Sequence, residues 1–452
     1  MNDIIRCDVA IIGAGTAGLA AWRAATGAGK HAVIIERGPG GTTCARVGCM
    51  PSKLMLAAGR AAHDARRTGL FGIGTGPVEV DGAAVLARMR AERDFFTESA
   101  LEKWFAVPED QRIDGAARFV GPTALQIEDG PRIEAGAVVI ATGGRPLVPP
   151  VLDPVAALVR TNETIFEIES LPDRMAVIGA GAQGMELAQA FSRLGVEVTV
   201  IDDGSTVAKL SDPEAARVAR KAFESVVDLR LDAELDAAEL VEGVARLRWT
   251  GGSGDFDFVL AASGRPPELK PLDLNAAGLE LDEHGTPLFD KHTRRCGEHA
   301  VFMAGDAGAD RAVLHEASRE GEMAGRVAAG LQPRERLPLL AITFTEPGIA
   351  LVGCDHDELP EGHRIGSAEF AENGRVRVDE GPETRGVARV YADADGVLIG
   401  GTIVGPGAEH LGHLLAHAVA RGLKAAAFED GAFYHPCVEE TLQNAVRDLL
   451  SE

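Results

Sequence analysis

Two cysteines stand five residues apart in the stretch GTTCARVGCMPSK, residues 41–53. In an undistorted helix, residues five apart lie roughly 8–9 Å from each other, beyond the about 7 Å that a disulfide bond tolerates. A bond between Cys44 and Cys49 therefore requires a loop, which Gly48 favours. Pro51 is typical of the first turn of a helix, so we expect Cys49 near a helix N-terminus, where a thiolate is stabilised.

Three kinds of chemistry fit such a pair: a reversible redox disulfide, a metal site, or two unrelated buried thiols. A zinc site usually needs a second cysteine pair or histidines, which this stretch lacks, so no metal is predicted. The first apolar strand begins almost at Met1, which leaves no room for a signal peptide. We therefore expect a cytoplasmic protein, in which structural disulfides are rare. Cys7, Cys296 and Cys354 show no pairing pattern.

The elements that must position these thiols include an internal repeat. Residues 9–36 and 175–202 both contain an apolar strand, a GxGxxG motif, an amphipathic helix and a second strand ending in an acid. The matched residues, at one constant offset, are Gly13, Gly15, Gly18 and Glu36 in the first copy and Gly179, Gly181, Gly184 and Asp202 in the second. The repeat predicts two dinucleotide-binding βαβ units.

Each glycine has a separate task in such a unit. The first permits the tight turn, the second lets the backbone approach a pyrophosphate at the helix N-terminus, and the third lets helix and strand pack closely. Two such sites suggest FAD together with a nicotinamide nucleotide. A carboxylate accepts free ribose hydroxyls, whereas a 2′-phosphate calls for Arg or Lys. Because Asp202 and Asp203 end the second unit, we predict NAD.

Further glycine turns follow apolar strands, in VVIATGGRP, FVLAASGRPP and VFMAGDA. These turns contain Thr142 and Gly143 in the first motif, Gly264 in the second, and Gly305 and Asp306 in the third. We expect all five residues beside the predicted nucleotide sites. The Asp306 carboxylate could hold a flavin ribitol hydroxyl, or it could cap a helix N-terminus.

The composition excludes some partners. The 452 residues are 46% hydrophobic and 25% charged, with a net charge of −23. This acidic balance argues against nucleic acid and anionic membranes, and the sequence has no apolar run long enough to span a bilayer.

The ordered set of motifs resembles the class I flavoprotein disulfide reductases over nearly the whole chain. ITFTEPGIALVG (342–353) resembles the start of that family's dimerisation domain, and FYHPCVEETL (433–442) its closing HPxxxE motif. The resemblance implies an α/β fold with two Rossmann-like dinucleotide-binding domains plus a C-terminal α+β dimerisation domain. The implied segments are an FAD domain (1–145), an NAD domain (146–265), a central segment completing the FAD site (266–336) and the dimerisation domain (337–452).

Family roles follow for individual residues. The resemblance implies that Cys44 exchanges with substrate, that Cys49 contacts the flavin, and that Lys53 lies near flavin N5 with Glu186 as its partner. Lys53 and Glu186 could instead be solvated surface charges. The loop residues Gly41 and Thr42 are also assigned to the flavin site.

His435 and Glu440 match the acid–base pair of the family. His435 would serve the cysteines of the other subunit, so the resemblance implies a homodimer with a shared active site. His410, His413 and His417 are predicted to lie on one helix face.

The implied activity is that of a dihydrolipoamide dehydrogenase, in which a dithiol, such as a protein-bound lipoyl group, is oxidised through the disulfide and FAD by NAD⁺. Alternatives are an NADH-dependent reductase of another disulfide or a metal ion, and a non-catalytic flavin sensor or docking subunit. Cys437 departs from the usual HPTxxE motif, and the final residues lack the cysteine pair common in mercuric reductases.

Overall fold

A computed structural model describes residues 4–381 and 383–451. The contacts of the chain divide it into two compact units, each built from three segments. The first unit comprises Met1–Pro51, Arg90–Leu147 and Gly264–Arg336. The second comprises Ser52–Met89, Val148–Ser263 and Leu337–Glu452. The domain boundaries expected near residues 145, 265 and 336 stay a prediction.

The helices and strands, apart from short 3₁₀ helices, are as follows. Residues 4–147 form β1 (Ile4–Ile12), α1 (Thr16–Gly27), β2 (Ala32–Glu36), α2 (Thr43–Val47), α3 (Cys49–Arg67), α4 (Gly82–Phe105), β3 (Arg112–Asp114), β4 (Ala117–Phe119), β5 (Ala124–Ile127) and β6 (Arg132–Ile140). Residues 148–263 form β7 (Val159–Arg160), β8 (Arg174–Ile178), α5 (Ala182–Arg193), β9 (Glu197–Ile201), α6 (Pro213–Phe223), β10 (Asp228–Arg230), β11 (Leu235–Val241), β12 (Val244–Trp249), β13 (Gly252–Phe256) and β14 (Phe258–Ala261).

The remaining chain continues the pattern. Residues 264–336 form β15 (Val301–Met303) and α7 (Leu314–Ala328). Residues 337–451 form β16 (Leu340–Thr343), β17 (Gly348–Gly353), β18 (Arg364–Glu369), α8 (Gly374–Glu380), β19 (Val387–Ala392), β20 (Leu398–Gly405), α9 (Ala408–Ala420), α10 (Ala425–Glu429) and α11 (Glu440–Ser451).

The first unit is built on one sheet with the order β3-β2-β1-β6-β5-β4, and β15 pairs with the C-terminal part of β6, whose N-terminal part pairs with β5. The strands β1, β2, β3, β6 and β15 are parallel, whereas β4 and β5 join in antiparallel fashion. Val9–Ile12 in β1 are buried without alternation, as expected for a parallel strand covered on both faces. The carboxyl ends of β1, β6 and β15 therefore lie at one edge of the sheet.

The second unit contains three sheets. The first is fully parallel, with the order β10-β9-β8-β14-β7. The second is the antiparallel meander β11-β12-β13. The third is antiparallel, with the order β16-β17-β20-β19-β18, and its core is shared with α9 and α11.

The predicted fold class is confirmed. Each glycine motif lies between a buried parallel strand and a helix, in β1–α1 and in β8–α5. The C-terminal part is an α+β domain around one antiparallel sheet. In the part of the chain that the structure describes, no helix combines the length and apolarity needed to cross a bilayer.

Candidate active site

The three glycines of the first motif differ in what surrounds them. Gly13 has a φ of 104°, and a Cβ there would lie 2.4 Å from the Ala141 carbonyl oxygen. At Gly18 a Cβ would lie 1.7 Å from the carbonyl oxygen of Gly13. A Cβ on Gly15 would meet no described atom within 4 Å. Gly13 is thus required by the turn and Gly18 by helix packing. Gly15 faces open space, as a pyrophosphate site requires.

The second motif repeats this arrangement. Gly179 has a φ of 116°, and its Cβ would lie 2.5 Å from the Ala262 carbonyl oxygen. A Cβ on Gly184 would lie 2.0 Å from the carbonyl oxygen of Gly179, whereas one on Gly181 would meet no described atom within 4 Å. The sequence repeat is therefore also a repeat of backbone geometry.

The acid at the end of each unit bonds to its own glycine turn. The Glu36 carboxylate accepts the N–H of Ala14 at 2.7 Å and that of Gly38 at 2.8 Å. The Asp202 carboxylate accepts the N–H of Ala180 at 2.5 Å and that of Gly204 at 2.7 Å. These bonds fix each carboxylate beside the helix N-terminus, where it can also accept ribose hydroxyls.

Other predicted flavin residues lie in the first unit. The Thr142 Oγ1 is buried and has no hydrogen-bond partner among the described residues, so it is an orphaned polar atom that a bound group could satisfy. Gly143 and Gly41 have φ values near 69°. Thr42 caps α2 by accepting the Ala45 N–H at 3.3 Å.

Asp306 lies in a short 3₁₀ helix, Gly305–Gly308, that directly follows β15. The cap position of this helix is Ala304, and Asp306 is its second residue, so Asp306 does not stand at the N-cap. Burial raises the pKa of the Asp306 carboxyl, and Arg265 opposes that effect. Together, the open glycine turns, the orphaned Thr142 hydroxyl and this partly buried acid fit a dinucleotide in the first unit.

Gly264 comes shortly after β14 and is the first residue of the third segment of the first unit. It has a φ of 126°, and its carbonyl accepts the N–H of Leu147 at 3.0 Å. This places it where the chain re-enters the first unit.

The cysteine segment is two helices separated by one glycine. Cys44 lies in α2, Cys49 begins α3, and Gly48 stands between them. A Cβ on Gly48 would lie 3.0 Å from the Thr43 carbonyl oxygen and 3.2 Å from the Cys44 Cα. The break in the helix and the position of Cys49 at a helix N-terminus are as predicted, and such a position favours the thiolate.

Lys53 lies one turn after Cys49 on α3 and pairs with a buried acid. Its Nζ is 2.7 Å from Glu186 Oε2, while Glu186 Oε1 accepts the Phe344 N–H at 2.9 Å. The ammonium also lies 4.6 Å from the centre of the Phe344 ring. Glu186 is only 4% exposed. The alternative, in which Glu186 is a solvated surface charge, is therefore wrong.

His435 and Glu440 form the predicted pair. The Nδ1 of His435 lies 2.9 Å from Glu440 Oε1, and Glu440 Oε2 accepts the Cys437 N–H at 3.0 Å. These bonds lower the pKa of the Glu440 carboxyl, with His435 as the main cause. The His435 side chain is 78% exposed, and Tyr434 beside it is also exposed.

The three clustered histidines lie on α9 as predicted. The Nδ1 of His413 is 2.6 Å from the carbonyl oxygen of Glu409, and the His410 ring is exposed.

Comparison with known proteins places the chain in a family. Residues 7–321 match the family model described as pyridine nucleotide-disulphide oxidoreductase, and residues 340–446 match that family's dimerisation domain. This chain is a pyridine nucleotide-disulphide oxidoreductase. The predicted membership in the class I flavoprotein disulfide reductases is confirmed, and FAD and a pyridine nucleotide are the cofactors of the family.

Relatives of this oxidoreductase carry more than one name. It is 31% identical to a dihydrolipoyl dehydrogenase of Halobacterium salinarum, over 98% of this chain and 96% of that protein. It is also 31% identical to a mercuric reductase of Bacillus cereus, over 92% of this chain and 67% of that protein. The HOCl-induced flavoprotein disulfide reductase RclA of Escherichia coli has the same fold, with a TM-score of 0.81 at 22% identity, over 98% of this chain and 99% of that one.

Sequence reasoning missed a polar seam in the second unit of this oxidoreductase. After Glu186, the same face of α5 carries Gln189, whose amide accepts the Glu346 N–H at 2.8 Å and donates to the Glu346 carbonyl at 2.7 Å. One turn on, Arg193 pairs with the Glu346 carboxylate, which also pairs with Arg60 of α3. The only local signal was the polar i, i+3, i+7 spacing in an otherwise apolar helix.

Glu346 stays charged in this seam. Burial acts to raise the pKa of its carboxyl, but Arg193 and Arg60 together hold that pKa below its usual range. The seam therefore links α3, α5 and the segment after β16, the same elements that carry Lys53, Glu186 and Phe344.

Proposed function

We propose that this oxidoreductase is a dihydrolipoamide dehydrogenase, which oxidises a dithiol with NAD⁺ through a disulfide formed by Cys44 and Cys49. The observation that carries the proposal is the arrangement along α3: a cysteine as the first residue and, one turn later, a lysine held by a buried glutamate. A thiolate at Cys49 would be stabilised by the helix N-terminus, and a fixed positive charge begins one helical turn further along α3.

The cysteines carry the exchange chemistry. A substrate thiolate attacks the Cys44 sulfur, the bond between the two cysteines breaks, and Cys49 leaves as a thiolate. The second substrate thiol then displaces Cys44, which yields the substrate disulfide and the reduced cysteine pair. Cys49 is the better leaving group because the N-terminus of α3 stabilises its negative charge.

His435 removes the proton of the attacking thiol. The Nδ1 of His435 is hydrogen-bonded to Glu440, so the Nε2 of His435 is left to accept the thiol proton. The high exposure of His435 and Tyr434 in one chain supports a site completed by a second chain. We infer that His435 of one subunit serves the cysteines of its partner across the dimer formed by the dimerisation domain.

FAD supplies the two-electron relay from the cysteine pair to NAD⁺. The chain's part is to bind the two nucleotides at the Gly13–Gly18 and Gly179–Gly184 turns and to hold Lys53 in place. The net reaction is dithiol plus NAD⁺ to disulfide plus NADH and one proton.

The preference for NAD over NADP follows from Asp202. Its carboxylate is fixed beside the glycine turn by two backbone amides. A 2′-phosphate at that position would meet a negative charge, whereas a 2′-hydroxyl would donate to it.

A second candidate is an NADH-dependent reductase of another disulfide or of a metal ion. It is favoured by the 31% identity to a mercuric reductase, equal to that of the dihydrolipoyl dehydrogenase. Its chemistry would use the same cysteines and nucleotides with electrons flowing in the opposite direction.

One assay separates these candidates. Steady-state rates are measured with dihydrolipoamide and NAD⁺, and with glutathione disulfide or Hg(II) and NADH, each repeated with the phosphorylated nucleotide. The proposal predicts the highest kcat/KM with dihydrolipoamide and NAD⁺. A higher kcat/KM with Hg(II) or glutathione disulfide would favour the second candidate, and absence of turnover with FAD bound would indicate a sensor.

A further inference from the structure

A cluster of buried charges lies under the Gly305–Asp306 turn in the first unit. Arg294, 1% exposed, donates through Nη2 to Glu320 Oε2 at 3.0 Å and through Nη1 to Asp310 Oδ2 at 3.1 Å. Its Nε donates to the Met303 carbonyl at 3.0 Å. The arginine is therefore tied to the end of β15 and to α7 at once.

Glu320 connects this cluster to the turn itself. The Oε2 that receives Arg294 also accepts the N–H of Gly305 at 2.9 Å. Glu320 is 4% exposed, and its Oε1 is buried without a hydrogen-bond partner among the described residues. Burial raises the pKa of the Glu320 carboxyl to about 7, and Arg294 and Arg336, the latter at 3.9 Å, oppose that rise by favouring the charged form.

The residues after Glu320 press α7 against α1. A Cβ on Gly321 would lie 2.0 Å from the Ala17 carbonyl oxygen, and a Cβ on Gly325 would lie 2.2 Å from that of Ala21. These glycines allow the two helix backbones to touch. The N-terminus of α1, at Thr16, lies within the first glycine motif.

Gly305 lies between these two helices. It has a φ of 65°, and a Cβ on it would lie 3.0 Å from the Ala17 Cβ and 3.4 Å from the Ala317 Cβ. One helix, α7, therefore contacts the turn through Glu320 and contacts α1 through Gly321.

We propose that Glu320 is a positioning residue for FAD, which fixes the Gly305–Asp306 turn relative to the pyrophosphate-binding end of α1. This inference rests on the flavin role proposed for Asp306. The hydrogen bond from the Gly305 N–H to Glu320 orients the backbone after β15, and this orientation positions the next residue, Asp306. A purely structural role, in which Glu320 only balances Arg294, would affect stability without affecting FAD.

The test uses the purified holoenzyme and two variants. Glu320→Gln removes the charge, and Glu320→Asp keeps the charge but draws the carboxylate back from the position in which Oε2 meets both Arg294 and the Gly305 N–H. We expect both to release FAD at least about tenfold faster than the unaltered protein, because a hydrogen bond to a charged group is lost or weakened. Release is followed by the rise in flavin fluorescence after dilution, together with the visible absorption of the bound flavin.

Asp212→Asn is the matched control. Asp212 is a fully buried carboxylate in the second unit that accepts two backbone amides and, as Glu320 does, an arginine. The Asp212→Asn substitution should lower thermal stability as the Glu320 substitutions do, but it should leave the rate of FAD release unchanged.

Unchanged FAD release in Glu320→Asp, together with lower stability, would overturn the positioning role. The same holds if Asp212→Asn accelerates FAD release as much as the Glu320 variants do. Either result would leave the proposed dithiol oxidation intact, because that activity is measured on the unaltered protein.

Discussion

The Nζ of Lys53 lies 2.7 Å from Oε2 of Glu186, and the other oxygen of Glu186 holds the backbone N–H of Phe344. The lysine is thus attached to a buried acid on a different helix, one turn after the cysteine that begins α3. A carboxylate with both oxygens engaged has little freedom to move, so the ammonium has a fixed position. Within the second unit, this ion pair joins α5, which carries the end of the second glycine motif, to α3.

Glu186→Gln tests the importance of this fixed charge. We expect FAD to stay bound, while the rate of flavin reduction by NADH falls about tenfold to a hundredfold because the ammonium loses its anchor. Stopped-flow absorbance of the flavin measures that rate. Glu214→Gln serves as the control, since it removes an exposed ion pair with Arg217 and such pairs contribute little. An unchanged rate in Glu186→Gln would contradict the role given to the pair.

Asp202→Asn tests the nucleotide preference. The variant weakens the two amide bonds that fix the carboxylate and removes its charge. We expect the KM for NAD⁺ to rise about tenfold, since a charge-assisted hydrogen bond to the ribose is lost. The neighbouring substitution Asp203→Asn should have a much smaller effect. Equal effects of the two substitutions would show that general negative charge, not the position of Asp202, governs the preference.

The sharing of the site between subunits can be tested with hybrid dimers. Cys44→Ser and His435→Gln homodimers should both be nearly inactive with dihydrolipoamide. A dimer with one chain of each kind retains one site in which intact cysteines face an intact histidine from the partner, so about half of the normal activity should return. Differently tagged chains are co-expressed and the hybrid is isolated by two affinity steps.

Mixtures of the two homodimers that have not exchanged chains give the baseline for this experiment. If the hybrid stays inactive, each chain must use its own histidine, and the shared site is wrong.

Asp212 gives a pH-dependent prediction. Burial acts to raise the pKa of its carboxyl, but the Ala215 amide, Arg389 and Tyr391 bonded to it bring the pKa below the ordinary value of 3.8. A carboxyl with a lowered pKa in the folded state adds stability above its unfolded pKa and loses that contribution as the pH falls through the folded one. Asp212→Asn should therefore unfold at lower temperature than the unaltered protein at pH 7, by an amount equivalent to about 1.5–3 kcal/mol.

That difference in unfolding temperature should shrink as the pH falls below about 4, the unfolded pKa of aspartate. Thermal unfolding followed by circular dichroism at several pH values measures it. A difference that is the same at pH 7 and at pH 3 would show that the substitution acts by shape rather than by charge.

Local patterns were enough to predict the two glycine turns and the elements around them. The steric needs of Gly13 and Gly18 are imposed by atoms near in sequence or in the adjoining strand, so the GxGxxG spacing carries them. The same holds for Gly48, whose Cβ would press on Thr43 and Cys44. In these places the constraint comes from the same segment or, for Gly13, from the end of the neighbouring parallel strand.

The polar seam and the charge cluster could not be predicted in this way. Gln189 and Glu346 meet across 157 residues, and Arg294 meets Glu320 across 26. An isolated arginine or glutamate in a sequence is most often exposed. Only the packing of α3, α5 and the segment after β16 in one unit, and of β15 and α7 in the other, makes these charges partners.

The most direct test of a redox pair formed by Cys44 and Cys49 is an anaerobic reductive titration of the purified protein with dithionite. A disulfide between Cys44 and Cys49 takes up two electrons in addition to the two that FAD takes up, so we expect about four electrons per FAD to be consumed. Cys44→Ser, with FAD still bound, should consume about two. If the unaltered protein also consumed only about two, its cysteines would not form a redox pair with the flavin, and the central claim would be wrong.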